Sequence, residues 1–185
     1  MNQLRLFFAI DLPERIKEEL LILAKKEEGD TWRWTPKENL HLTLVFIGHL
    51  DEAQLPKVIE AGQDVCQKNP SFTLKSRGIA YGPESSRRMV WLNMEKNEAM
   101  TKLKNDLEEA LLKREVDFSR EYREFHPHIT LARLKLSYAK PNHQIHKDYT
   151  EDFLVEEMVL MVSNLKRSGA EYTAIQKFSF QRKLK

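Results

Sequence analysis

His41-Leu42-Thr43-Leu44 and His128-Ile129-Thr130-Leu131 repeat one pattern at an offset of 87 residues, from position 41 to position 128. A chain of 185 residues with six histidines has little chance of writing His-x-Thr-Leu twice. Side chains alternate across a β-strand with period two. The histidine and threonine of each tetrapeptide therefore share one face, while Leu42 and Leu44, or Ile129 and Leu131, turn to the core. If the two strands face each other, two imidazoles and two hydroxyls meet across one cleft.

The same offset aligns the predicted elements. Leu4 to Ile10 reads as a buried strand, and Asp11, Pro13 and Glu14 form a helix start for an amphipathic segment from Pro13 to about Glu28. A loop carrying Trp32, Trp34 and Pro36 leads to a strand over Leu40 to Gly48. Leu55, Val58, Ile59, Val65 and Cys66 have helical spacing, and Asn69 and Pro70 close that helix. Strands follow at Phe72 to Ala80 and Arg88 to Met94, then a helix at Glu98 to Lys113 and a strand at His128 to Leu134. Phe153 to Leu165 and Tyr172 to Phe180 read as the last two strands. Pro141 to Tyr149 is ambiguous between a loop and a short helix. Shifted by 87, the first strand falls on Arg88 to Met94, the first helix on Glu98 to Lys113, and the strand at Phe72 on the one near Val159. The expectation is one domain, residues 1–185, of α+β class with two pseudo-symmetric lobes around a central cleft, each lobe carrying an antiparallel sheet and helices.

Hydrophobic residues make up 41% of the chain and charged residues 31%, which excludes a disordered or low-complexity chain. A net charge of +2 is too small to mark a nucleic-acid binder by bulk charge, so polyanion contact has to come from a local cluster. Cys66 is the one cysteine, which rules out an intramolecular disulfide. No apolar run approaches the roughly 20 residues of a membrane span, and the N-terminus lacks a signal-peptide pattern. A cytoplasmic monomer is expected.

Two imidazoles with ordinary pKa values near 6.5 can divide general-acid and general-base work at neutral pH, each role contributing about 10²–10⁴-fold. Flanking hydroxyls can donate to non-bridging oxygens on which negative charge builds. That set suits in-line displacement at a phosphodiester and calls for no cofactor. A zinc site built on His126 and His128, or on His143 and His146, lacks the accompanying cysteines or His-Glu-x-x-His spacing. Trp32, Trp34 and Trp91 read as packing residues.

The chain resembles the RNA 2′,3′-cyclic phosphodiesterases, or 2′-5′ RNA ligases, of the two-histidine (2H) phosphoesterase superfamily. The resemblance rests on RLFFAIDLP at Arg5 to Pro13, NLHLTLVFIG at Asn39 to Gly48, RRMVWLNM at Arg87 to Met94, FHPHITLAR at Phe125 to Arg133 and SNLKRSGAEYTAI at Ser163 to Ile175. It implies hydrolysis of terminal 2′,3′-cyclic phosphates to 2′-phosphates, with reverse 2′-5′ ligation as a corollary. His41 would be the proton donor to the departing 3′ oxygen, His128 the proton acceptor that activates water, and Thr43 and Thr130 the holders of the phosphate oxygens.

The resemblance also implies a role for Arg133, five residues after His128, in substrate binding. Period-two counting places Arg133 on the face opposite His128, so a bulge or a strand-end twist is needed to bring it into the cleft. The matching position in the first motif is Phe46. Phe8, or its neighbour Phe7, is the candidate aromatic for stacking on a base, against a competing and favoured reading of each as a core residue, and Arg5, Arg87 and Arg88 are candidates for the RNA backbone. The expected partners are RNA 3′ ends or cyclic nucleotides. Two rival readings are a nucleotide- or RNA-binding module without turnover, and a 2H phosphodiesterase acting on another cyclic or 2′-5′-linked nucleotide.

Overall fold

The structure, a computed structural model, describes residues 2–26, 31–118, 120–121, 124–141, 145–166 and 169–181. Its elements are β1 (Gln3–Asp11), α1 (Glu14–Lys26), β2 (Trp32–Trp34), β3 (His41–Asp51), α2 (Leu55–Cys66), β4 (Phe72–Gly82), β5 (Met89–Met94), α3 (Glu98–Lys113), β6 (His128–Leu134), β7 (His146–Lys147), β8 (Asp152–Val155), β9 (Glu157–Lys166) and β10 (Gly169–Ser179). The fold is α+β. Among the described residues no helix is long and apolar enough to cross a membrane.

The strands follow the order β10-β9-β1-β3-β6-β5-β4-β7, with β2 paired to β6 and β8 paired to β4. Outward from the central β3–β6 contact, β1 stands opposite β5 and β9 opposite β4. The two lobes do not carry separate sheets, however: one continuous path of hydrogen-bonded neighbours runs through both. The join between β3 and β6 is a single residue pair, Leu42 opposite Ile129. Beyond that pair the strands part, and β2 fills the gap by pairing with the other end of β6.

Local chemistry accounts for the helices. Asn97 caps α3 by accepting from the Met100 N–H at 3.1 Å. At the other end Glu115 takes a left-handed φ of 55°, while the Val116 and Glu115 N–H groups donate to the Leu111 and Leu112 carbonyls at 3.1 and 2.9 Å. Those two bonds form a Schellman stop, and Val116 is buried beneath it. Gly62 interrupts the apolar face of α2 because a Cβ there would come within 2.8 Å of the Phe178 ring and 3.0 Å of Phe8. Close approach of helix to sheet outweighs the roughly 1 kcal/mol that glycine costs in a helix.

One core gathers Ile16 and Leu20 of α1, Val58 and Val65 of α2, and Leu103, Leu107 and Leu111 of α3. It also takes in Leu42, Leu44, Ile129 and Leu131 of the two central strands. A smaller cluster of Phe7, Ala9, Val159 and Met161, with Tyr172 against it, forms a separate core group.

Three expectations need correction. Trp32 and Trp34 stand in a strand, because the free edge at the end of β6 captures three residues that carry no alternation long enough to announce one. The apolar run from Phe153 to Leu165 breaks at Glu156: β8 joins β4, whereas β9 joins β1 and β10. In the ambiguous segment, His146–Lys147 is a two-residue strand beside Ile79 and Ala80, and residues 142–144 lie outside the described residues. So do Glu28, the expected end of the first helix, and Ser168.

Candidate active site

Both central strands open on their histidine. In β3, His41 and Thr43 are partly exposed while Leu42 and Leu44 are buried, and β6 repeats this with His128, Thr130, Ile129 and Leu131. The alternation then slips at matching places. Ala9 pairs with Thr43 and Phe8 with Val45, which leaves Leu44 as an extra residue in β3. Trp91 pairs with Thr130 and Val90 with Ala132, which leaves Leu131 as an extra residue in β6. Each bulge shifts the parity of the strand by one. Phe46 and Arg133 are thereby turned onto the face of the histidines, and both are exposed.

The two rings are held alike. His41 Nδ1 donates to the Asn39 carbonyl and His128 Nδ1 donates to the His126 carbonyl, each at 2.7 Å. A carbonyl acceptor selects the tautomer with the proton on Nδ1 and leaves Nε2 as the working nitrogen. The Thr43 hydroxyl lies 3.1 Å from His41 Nε2 and donates to it in that tautomer.

The surroundings of the rings differ. His41 packs against both Phe7 and Tyr172, each with its ring centroid 5.0 Å away, and those two rings meet edge to face at 5.1 Å. His128 stacks on Trp91 with centroids 3.8 Å apart. Burial is the main cause that pushes both imidazoles below the ordinary value of 6.5. At His41 the Asn39 carbonyl and Asp11 oppose the shift, while the positive charges of Arg133 and His128 add to it. At His128 the His126 carbonyl opposes the shift, and Arg133 adds to it more strongly than Glu121 counters it. Arg133 thus acts on both rings at once.

Arg133 also donates from Nη1 to the Met89 sulfur at 2.9 Å. Phe8 is displaced from its expected role: it has 0% exposure and packs against Phe178 in the core, so it offers no face to a substrate. Its neighbour Phe7 lies beside His41 but is itself buried. Phe46, 45% exposed, carries Arg5 above its ring at 4.6 Å, and Arg5 Nη1 donates to Ser163 Oγ at 2.8 Å. Arg87 adopts a left-handed φ of 51° in the turn before β5, and the Arg88 carbonyl accepts from Leu134 N–H. Tyr172 and the carbonyls of Asn39 and His126 were not singled out from the sequence. The carbonyls had a signal, since 39 and 126 keep the same offset of 87, whereas Tyr172 reaches His41 only through sheet order. Among the described residues no three His, Cys, Asp or Glu side chains gather as a metal site.

Residues 12–167 match the model of the 2′-5′ RNA ligase superfamily. The chain belongs to that superfamily. An RNA 2′,3′-cyclic phosphodiesterase of Thermus thermophilus is 31% identical over 183 residues, covering 96% of this chain and 91% of its own. A Methanocaldococcus jannaschii protein of the same name is 29% identical over 182 residues, covering 95% and 100%. Among solved structures, one of a Thermus thermophilus protein superimposes with a TM-score of 0.84 at 30% identity, covering 97% of this chain and all of that one. Escherichia coli LigT complexed with 3′-AMP superimposes with a TM-score of 0.78 at 29% identity, covering 97% and 99%. The 2′-5′ RNA ligase superfamily match spans both tetrapeptides and Arg133 but ends before Tyr172.

Proposed function

We propose that this chain hydrolyses 2′,3′-cyclic phosphates at RNA ends to 2′-phosphates, with two imidazoles and no metal ion performing the proton transfers. The observation that carries the reading is the matched pair of Nδ1–carbonyl bonds, which reserves both Nε2 atoms for one anion-binding face. Relatives named RNA 2′,3′-cyclic phosphodiesterase at about 30% identity over nearly the whole chain support the substrate class.

In the proposed step, His128 Nε2 takes a proton from water as the water oxygen bonds to phosphorus. The bond from phosphorus to O3′ breaks on the opposite side, and His41 Nε2 delivers its proton to O3′. Thr43 and Thr130 donate to the non-bridging oxygens, where charge accumulates. Among the nearby charges, Asp11 acts most strongly on His41 and Arg133 most strongly on His128, while burial, the largest cause at each, lowers both. With a 5′-hydroxyl in place of water as the attacking group, the same transfers break the bond from phosphorus to O3′ and join the two ends through a 2′-5′ bond.

The test is ³¹P NMR of a short oligonucleotide 2′,3′-cyclic phosphate incubated with pure protein and EDTA. The cyclic-phosphate resonance should give way to that of a 2′-phosphomonoester. Full activity retained in a His41→Ala, His128→Ala double variant would overturn the mechanism, and loss of activity in EDTA would overturn its metal independence.

A further inference from the structure

Arg33 stands directly opposite Arg133 in the β2–β6 ladder. Directly opposed residues on antiparallel strands point to the same face with Cα atoms about 4.5–5.5 Å apart. Two like charges in such a pair destabilise the sheet. Among the described residues neither guanidinium has a carboxylate within ion-pair distance, and the hydrogen bond found for Arg133 goes to the Met89 sulfur. Arg33 is exposed, and its Nη1 extends until a Cβ built on Gly169 would lie 4.0 Å from it. The next residue of that hairpin, Ala170, is tied by its carbonyl to Asn39 Nδ2 at 2.8 Å, two residues before His41. Arg33 therefore borders the cleft from the strand that fills the gap between β3 and β6, beside Arg133.

A pair of guanidiniums beside a phosphate site, with no carboxylate partner among the described residues, is relieved when two anionic groups arrive together. Under the function proposed above, on which this inference rests, Arg133 faces the cyclic phosphate through its action on both imidazoles. That phosphate uses O2′ and O3′ of the terminal ribose, so the remaining attachment for a second phosphate is O5′. We propose that Arg33 binds the phosphate on O5′ of the terminal nucleotide. The protein would thereby distinguish an RNA end from a free nucleoside 2′,3′-cyclic phosphate.

Three substrates isolate this contact: adenosine 2′,3′-cyclic phosphate, its 5′-phosphorylated form, and the dinucleotide ApA ending in a 2′,3′-cyclic phosphate. In the wild type, kcat/KM for the second and third should exceed that for the first by about tenfold or more, the scale of one charge-assisted hydrogen bond. That ratio should weaken with salt at a log–log slope of about −0.7, as for one phosphate contact on a single strand. Arg33→Gln should bring the ratio close to one, and Arg33→Lys should restore part of it. A wild-type ratio near one, or a ratio unchanged in Arg33→Gln, overturns the proposal, as does an equal fall on all three substrates. Binding of a labelled ApA 3′-phosphate, compared with adenosine 3′-phosphate, is read in parallel by fluorescence anisotropy. If no cyclic phosphate is hydrolysed but Arg33→Gln abolishes the preference for ApA, the reaction assigned above fails and the O5′ contact stands. If the preference survives the substitution, the contact fails.

Discussion

Trp91 lies flat against the imidazole of His128, with ring centroids 3.8 Å apart and planes inclined by 23°. The indole can lie there because residue 82 has no side chain: a Cβ on Gly82 would fall 1.9 Å from Trp91 Cδ2 and 2.1 Å from Cε3. A glycine in β4 thus sets the position of a ring in β5, which in turn supports the imidazole in β6.

Gly82→Ala should therefore displace the indole, lower stability by about 1–3 kcal/mol as overpacking does, and lower kcat by more than KM changes. Trp91→Phe should keep most of the activity by retaining a flat face, and Trp91→Leu should lose it. Steady-state kinetics with ¹⁵N NMR of the His128 ring checks this. Wild-type kcat in Trp91→Leu would show that the stacking has no bearing on turnover.

The pH–rate profile of kcat/KM should be bell-shaped with its maximum below pH 6.5, because both imidazoles are pushed below that value by burial. Arg133 depresses both, so Arg133→Gln should move both limbs toward higher pH while reducing the rate at the optimum. Limbs that stay in place would separate Arg133 from the two rings. The same shifts bear on stability. Between the folded-state values and 6.5 the unfolded chain binds more protons, so stability rises with pH through that window and is lost as the pH falls back through it to the folded-state values. His41→Gln should flatten part of that slope in thermal melts.

Thr43→Val keeps the shape of the side chain but removes the hydroxyl that lies 3.1 Å from His41 Nε2. A loss of about 10²–10³-fold in kcat is expected, as for removal of one preorganised donor, with Thr43→Ser retaining most of the rate. Single-turnover hydrolysis measures it, and a rate within twofold of wild type for Thr43→Val would remove that hydroxyl from the mechanism.

Glu108 on α3 is 2% exposed, and its two oxygens meet Lys104 and, at 2.9 Å, Arg120 Nε. Lys104, itself 7% exposed, lies over the Phe125 ring at 5.9 Å. The carboxylate thus ties down the segment that leads into His126 and His128. Glu108→Ala strands a buried ammonium and should cost about 3–5 kcal/mol in urea denaturation. Replacing Lys104 and Glu108 together by methionine and leucine should cost much less than that.

Where the sequence carries a period, it was legible. Leu42, Leu44, Ile129 and Leu131 lie in the core as strand alternation demands, and α3 runs from Glu98 to Lys113 because a capping asparagine and a regular apolar face mark it. Counting also required a bulge or a strand-end twist before Arg133, and of the two the strand has the register shift at Leu131. What failed has a common physical cause. Phe7 and Phe8 are adjacent and both buried, one in each core group, so no alternation of polarity tells which of them neighbours the histidine. β2 exists through its partner rather than through its own three residues. The break at Glu156 is hidden because both β8 and β9 carry apolar residues, although they serve opposite ends of the sheet.

Leu42 pairs with Ile129, which is its own counterpart at the offset of 87. A residue that meets its own counterpart marks a two-fold axis, the arrangement that a symmetric homodimer builds at an isologous contact. Two identical subunits on such an axis would have to present two phenylalanines or two arginines where Phe46 and Arg133 now stand. A single polypeptide escapes that obligation and sets one aromatic ring and one cation on either side of the dyad.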